Sequence, residues 1–215
     1  ELPGLPGFGW ENLGIQVFVA CSLGELRLLD RGGEHPKAME IAPGIIAEMD
    51  ALGERLHKEQ QLEFCFTLAC VYFGGGEMNK ALFWLNKVLN DNEPTLRQDI
   101  FTYARLFNLV VHYELGNYDL LEYIVRSTQR FLNKRNRAEG MENVLMEHIK
   151  KLGRTTDPNQ RRELFKTMLS RFEAVLDDPN ESLVLKYFDV VSWATAHQQG
   201  VPYSEVVRRR ANGAA

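Results

Sequence analysis

The chain has 215 residues, of which 45% are hydrophobic and 25% are charged. This composition is typical of a globular protein with a sizeable core and excludes an intrinsically disordered one. The net charge of −4 argues against capture of nucleic acid or acidic membranes by the overall charge of the protein.

Apolar residues recur at helical spacing along most of the chain, and no stretch of strand length alternates convincingly between apolar and polar residues. The sequence therefore predicts an all-α protein with nine or ten helices. The predicted helices span 10–30, 36–56, 58–74, 77–91, 95–115, 117–135, 138–152, 158–177, 181–199 and 203–210. Pro43 lies inside the second helix, which we expect it to kink or break. We expect the three terminal arginines, 208–210, to lie in a frayed end.

Three segments repeat one pattern, in which an apolar helical run ends at a glycine and a small or apolar residue follows five positions later. The glycines are Gly33, Gly76 and Gly116, and the residues five positions later are Ala38, Ala81 and Leu121. Glycine ends a helix in the left-handed conformation at little steric cost. The pattern predicts antiparallel helical hairpins stacked side by side, and we expect the stack to be right-handed.

We interpret residues 1–215 as one helical-repeat domain. Its repeat-like units span about 10–56, 58–91 and 95–135, and a divergent helix pair follows over 138–177. Helices over 181–210 would cap the array, because a terminal unit otherwise exposes its stacking face.

The part of the chain over 64–132 resembles a tetratricopeptide repeat. The small, aromatic, glycine and alanine positions of that family match Ala69, Tyr72, Gly76 and Ala81, and Leu109, Gly116, Tyr118 and Leu121 give a weaker second copy. The amino-acid sequence of this part is also similar to the sequences of tetratricopeptide-like proteins of Bacteroidetes-type bacteria. The resemblance implies a scaffold that holds a peptide or a partner helix in a concave groove.

No arrangement of residues predicts catalysis, a metal site or a cofactor. Cys65 and Cys70 are five residues apart, which is not a zinc-ligand spacing, and they lie in an apolar run. The five histidines form no motif, and Gly74–Gly76 lacks the lysine of a phosphate loop. We therefore expect a protein that is not an enzyme. Because three scattered cysteines cannot form a disulfide framework, we expect a cytoplasmic location.

The leading functional hypothesis is a non-catalytic scaffold for a protein or peptide partner. Helix phase places the candidate groove residues on the fifth helix, at Tyr103, Arg105, Asn108 and His112. No uninterrupted apolar run reaches the roughly 20 residues that cross a bilayer, so we expect no membrane partner. The apolar start of the chain, residues 2–10, leaves a homo-oligomer open.

Two alternatives remain. Residues 126–171, the basic band, hold 12 Lys and Arg against 5 Asp and Glu, which would suit nucleic acid or an acidic partner. Within the band Arg126, Arg130 and Lys134 are four residues apart and share one helical face. The second alternative is a ligand-sensing domain cut from a larger regulator.

Overall fold

The computed structural model describes residues 10–134, 140–177 and 185–213. Over these ranges the chain forms ten α-helices and no strand, which confirms the predicted fold class. The helices are α1 Trp10–Arg31, α2 His35–Leu52, α3 Lys58–Gly74, α4 Met78–Leu89, α5 Gln98–Glu114, α6 Tyr118–Asn133, α7 Met141–Arg154, α8 Pro158–Leu176, α9 Val190–Gln199 and α10 Tyr203–Ala211. A short 3₁₀ turn, Gly53–Arg55, follows α2.

The three glycines of the repeat lie at the bends between paired helices, as predicted. Gly33, Gly76 and Gly116 have φ angles of 69°, 81° and 71°, in the left-handed region. At each bend the residue after the glycine donates its N–H to the carbonyl five residues back, a bond that satisfies the end of a helix. These bonds join Glu34 to Leu29, Glu77 to Tyr72 and Asn117 to His112.

The odd-numbered helices form the spine of the molecule. α1, α3, α5 and α7 contact one another in chain order, and each packs against the even-numbered helix that follows it. Ala38, Ala81 and Leu121, five residues after the bend glycines, are all buried where the paired helices meet. Stacked helical hairpins therefore bury one continuous core.

Of the two outcomes expected from the sequence at Pro43, a kink or a break, the break does not occur. The helix continues through it to Leu52. Pro43 and Gly44 are both exposed, so water can reach the helical carbonyl that loses its donor at a proline.

The helix predicted over 181–199 begins later than expected. Residues 181–184 lie outside the described residues, and α9 begins only at Val190. Asp189 caps this helix, because its carboxylate accepts hydrogen bonds from the backbone N–H of Ser192 at 2.9 Å and from its hydroxyl at 2.6 Å. Residues 185–189, the returning segment, are therefore not part of α9.

The end of the chain folds back across the stack. α9 packs on α8, and α10 contacts both α9 and α1. The expected frayed end is wrong for Arg208 and Arg210: Arg208 donates to the carbonyl of Gly33 at 3.1 Å, and Arg210 binds the Asp189 carboxylate at 2.8 Å. α10 therefore packs against the bend between α1 and α2.

Candidate functional site

The inner face of α3 and α5 holds the returning segment through stacked rings. The ring centroids of Tyr103 and Tyr187 are 4.0 Å apart, and those of Phe107 and Phe188 are 4.3 Å apart, with both pairs nearly parallel. Phe73 meets Phe188 edge-on at 5.2 Å. Aromatic pairs in these geometries contribute beyond their buried area. We call this surface of α3 and α5 the segment-binding face.

Polar side chains bind the main chain of the same segment. Arg31 donates to the carbonyl of Lys186 at 3.1 Å, and the thiol of Cys70 donates to the carbonyl of Tyr187 at 3.6 Å. The hydroxyl of Tyr187 donates to Asp99 at 2.6 Å. Carbonyls of a segment outside the α-helices need partners from elsewhere in the protein, and these contacts satisfy two of them.

A charge network lies behind Tyr187. Arg97 donates to Asp99 at 2.9 Å and to Glu63 at 3.2 Å, and Arg27 also binds Glu63. Burial acts to raise the pKa of Asp99, but hydrogen bonds from Arg97 and Tyr187 outweigh it and hold that pKa well below its usual range. Burial, together with the bond to Asp99, raises the pKa of Tyr187 to about 12. Tyr187 is therefore a neutral donor at neutral pH.

Glu114, the last residue of α5, holds α9 in place. The same oxygen, Oε1, accepts from the indole N–H of Trp193 at 2.6 Å and lies 2.6 Å from Nε2 of His197. The imidazole of His197 stacks on Phe165 of α8, with ring centroids 4.5 Å apart and planes 4° from parallel. This cluster joins α5, α8 and α9.

A cleft of about 750 Å³ remains open beside the returning segment, between α1, α3 and α10. We call it the charged cleft; its charged lining residues are Arg27, Arg31, Arg97, Lys186, Arg210, Asp30, Glu63 and Asp189. Arg27 and Arg97 pair with Glu63, and Arg210 pairs with Asp189. Within the described part of the chain, neither Arg31 nor Lys186 forms an ion pair. Asp30 lies 3.3 Å from His35, outside the lining, so Arg31, Lys186 and Asp30 have no ion-pair partner within the cleft.

The structure separates the four groove residues predicted on α5. Tyr103 lies on the segment-binding face, against Tyr187. The guanidinium of Arg105 lies over the ring of Phe131 of α6, 4.4 Å from its centroid. The side chain of His112 contacts that of Asn117 at 3.1 Å, in the bend before α6, and Oδ1 of Asn108 is buried. Tyr103 is thus the one that contacts the returning segment.

Sequence analysis missed the residues that build the site. The sequence pattern places Tyr187 and Phe188 in the predicted helix over 181–199, and it gives no sign that Asp99 or Glu114 has a special role. A local signal was present: Asp189 precedes Ser192 at the spacing of a helix N-cap, which ends the irregular stretch at Asp189. The long-range contact to α5 has no such signal.

The basic band is partly neutralised. Lys150 and Arg154 pair with Glu122, while Lys151 and Arg171 pair with Glu147. The predicted residues Arg126 and Arg130 of α6, and Lys134 directly after its end, are exposed. Two further cations of the band, at 135 and 137, lie outside the described residues.

Among the described residues, no cluster of three metal-ligating side chains occurs. Burial raises the pKa of the Cys65 thiol to about 11, and burial also raises that of Cys70 well above its usual range. Both thiols are therefore protonated and weakly reactive at neutral pH. Gly74–Gly76 forms the end of α3 and the bend after it.

Comparisons of the chain with protein-family models, with curated proteins and with solved structures give no match. The tetratricopeptide resemblance therefore stays a prediction. Among the described residues, one helix is long and apolar enough to span a membrane, over Asn12–Arg31 of α1, with 28% of it buried in the protein. A single helix of this kind is weak evidence for a membrane span, because mostly buried core helices and signal sequences near an N-terminus pass the same test.

Proposed function

We propose that the protein is a non-catalytic helical-repeat scaffold that binds a segment of a partner protein in the charged cleft. One observation carries the proposal: the wall of this cleft already holds a stretch of chain that lies outside the α-helices. Arg31 and Cys70 bind main-chain carbonyls of the returning segment, and open space of about 750 Å³ adjoins it. A second extended segment would find the same kinds of contact.

The partner binds beside the returning segment and does not replace it. Phe188 and Trp193 are 8% and 1% exposed, and each buried aromatic ring contributes roughly 1.5–3 kcal/mol or more to keeping the C-terminal part in place. A competing peptide would have to offset this burial as well as its own ordering entropy.

Charge selects an acidic partner. Arg31 and Lys186 bring two positive charges to the cleft without a carboxylate partner among the described residues. Asp30 contributes one negative charge that no cation of the lining pairs with, and the remaining charged residues of the lining are paired with one another, so the unpaired lining residues still carry a net positive charge. A glutamate or aspartate side chain in the cleft would be attracted to both cations, which favours the correct register of the bound segment.

A peptide array tests the proposal. Fluorescently labelled protein is applied to random and acidic-enriched peptides, and the affinity of the best binders is measured by anisotropy. We expect acidic peptides to bind, and we expect R31E/K186E to weaken them at least about tenfold, as for loss of a charge-assisted contact. The matched control, R126E/R130E, changes two cations outside the cleft and should leave binding intact.

The second candidate function is binding of nucleic acid or another polyanion by α6. It is favoured by Arg126, Arg130 and Lys134, which are exposed on successive turns. For this candidate, R126E/R130E is the damaging variant and not the control. It would abolish binding to single-stranded RNA or DNA, and the affinity of the wild-type protein would fall steeply as salt is added. Loss of peptide binding in R126E/R130E but not in R31E/K186E would reject the cleft. A ligand-sensing role stays a prediction.

A further inference from the structure

The outer face of α1 is apolar, and none of the described residues covers it. Six residues form a stripe along it: Leu13, Val17, Ala20, Cys21, Gly24 and Leu28. They are all exposed, and the three large ones, Leu13, Val17 and Leu28, are 43%, 52% and 74% exposed. These residues recur at three- and four-residue intervals, so they lie on one side of the helix.

The opposite side of α1 is also apolar, and it packs into the protein. Ile15, Val19, Leu23 and Leu26 are buried there, against α2 and α3. An apolar stripe left in contact with water on the side opposite the core is characteristic of a surface that binds another molecule. The outer face of α1 therefore has the character of an interface.

We infer that this face pairs with the same face of a second copy of the chain, with the two α1 helices antiparallel about a two-fold axis near Ala20 and Cys21. The stripe is close to symmetric about that point. Small residues at its centre let the two helices approach, and Leu13 of each copy then meets Leu28 of the other. A two-fold interface uses one surface twice, so it requires this kind of self-complementarity.

The two-fold symmetry of the stripe favours the antiparallel arrangement over the parallel one. Glu25 and Arg27 are exposed beside its C-terminal half, whereas Asn12 and Gln16 are exposed beside its N-terminal half. Antiparallel pairing sets the charged half of one helix against the neutral half of the other, so it brings no like charges together.

The size of the face sets the strength of the dimer. A helix of 22 residues is about 33 Å long and about 10 Å wide, which gives a face of roughly 330 Å² in projection. A stable specific interface buries about 800 Å² on each partner. We therefore expect a monomer–dimer equilibrium that depends on protein concentration and dissociates on dilution.

Sedimentation equilibrium of the full chain over a wide concentration range tests the inference. We expect wild type to associate to a dimer and V17E/L28E to remain monomeric. The matched control is L120E/Y123E, which changes two apolar side chains of α6 that are 51% and 64% exposed; it should dimerise like wild type. Circular dichroism checks that each variant is folded, since all four positions lie on the surface.

Cross-linking tests the orientation. Mild oxidation should join two chains through Cys21, and C21S should remove the product. In the C21S background, L28C should give no cross-link with itself, because antiparallel pairing places the two positions at opposite ends of the interface. A cross-link through L28C would overturn the antiparallel geometry.

Two results would overturn the inference as a whole. A chain that is monomeric at every concentration would do so, and so would a dimer that V17E/L28E leaves intact. If the chain is monomeric but cosediments with phosphatidylcholine vesicles through the same face, the face belongs to lipid instead. None of these outcomes bears on peptide binding in the charged cleft.

Discussion

The phenol rings of Tyr103 and Tyr187 stack with centroids 4.0 Å apart and planes 22° from parallel. One ring belongs to α5 and the other to the returning segment, so this contact fixes the C-terminal part of the chain on the helical stack. Asp99 also belongs to α5, four residues before Tyr103, and it accepts a hydrogen bond from the hydroxyl of Tyr187. The contact therefore combines ring stacking with a charge-assisted hydrogen bond.

The two components can be separated by substitution. Y187F keeps the stacked ring and loses the hydrogen bond, so we expect a decrease of about 1 kcal/mol in the free energy of unfolding. Y187A also loses the ring, and the decrease should reach about 3 kcal/mol. Urea denaturation measures both. Y123F, at an exposed tyrosine of α6, should have no effect, and an equal effect at both positions would contradict the assignment.

Glu114 should be as important for α9 as Tyr187 is for the returning segment. E114A removes the acceptor of the Trp193 indole N–H, and leaving a buried donor unpaired costs about 1–3 kcal/mol. E114Q retains one oxygen acceptor and should recover part of the loss. Thermal unfolding gives the comparison, with E48A on the exposed side of α2 as control. An equal loss of thermal stability in E114A and E114Q would show that the negative charge of Glu114, and not its oxygen acceptor, stabilises the contact with α9.

Much of the helical stack follows from the sequence. Gly33, Gly76 and Gly116 lie at equivalent bends because a left-handed residue is needed wherever the paired helices turn, and glycine adopts it most readily. This requirement is local, so it is visible in a single sequence. The small residues five positions later are visible for the same reason.

The sequence does not predict which side of α5 faces the returning segment and which side faces α6. Both sides of α5 are apolar, with buried residues Phe101, Tyr103, Leu106, Phe107 and Val110, so polarity does not mark which side meets a partner. Sequence analysis grouped Arg105 and His112 with Tyr103, although these side chains point to α6 and its bend. The contact that decides the phase comes from Tyr187, far along the chain.

Two bend glycines give a matched pair of variants. A Cβ at Gly33 would lie 2.7 Å from the carbonyl oxygen of Ser204 in α10, whereas a Cβ at Gly116 would meet nothing within 4 Å. Both positions have positive φ, so alanine costs about 1–2 kcal/mol at either. We expect G33A to lose clearly more stability than G116A in urea. Equal losses would mean that α10 does not pack on the first bend in solution.

Two histidines make stability fall on mild acidification. Burial lowers the pKa of His112, and burial also lowers that of His148 against the opposing hydrogen bond to the carbonyl of Val144. As the pH falls, these histidines therefore bind protons more readily in the unfolded chain than in the folded protein. Their contribution to the free energy of unfolding is fully present above the unfolded histidine pKa of about 6.5, and it is lost as the pH falls through the lower folded pKa.

Urea midpoints between about pH 7 and pH 5 measure the effect, because this window spans the usual histidine pKa. Wild type should lose stability across it, and H112Q/H148Q should show a smaller slope. A wild-type slope in H112Q/H148Q would assign the pH dependence to other groups.

The three thiols should differ in reactivity. Cys21 is exposed, whereas Cys65 and Cys70 are buried and their pKa values are raised. In dilute native protein at neutral pH, a thiol-reactive dye should label one site quickly, and C21S should abolish that fast phase. Addition of urea should expose the other two. Fast labelling of C21S in native buffer would contradict the burial of α3.

The contact of α10 with the first bend affects how the array comes apart. In an open row of repeats each terminal unit has a single neighbour, so the ends melt before the middle. Here α10 and the bend between α1 and α2 stabilise one another through Arg208 and Gly33. Heating should therefore release the first and last hairpins together, as one cooperative unit, and a cut near either end should loosen both.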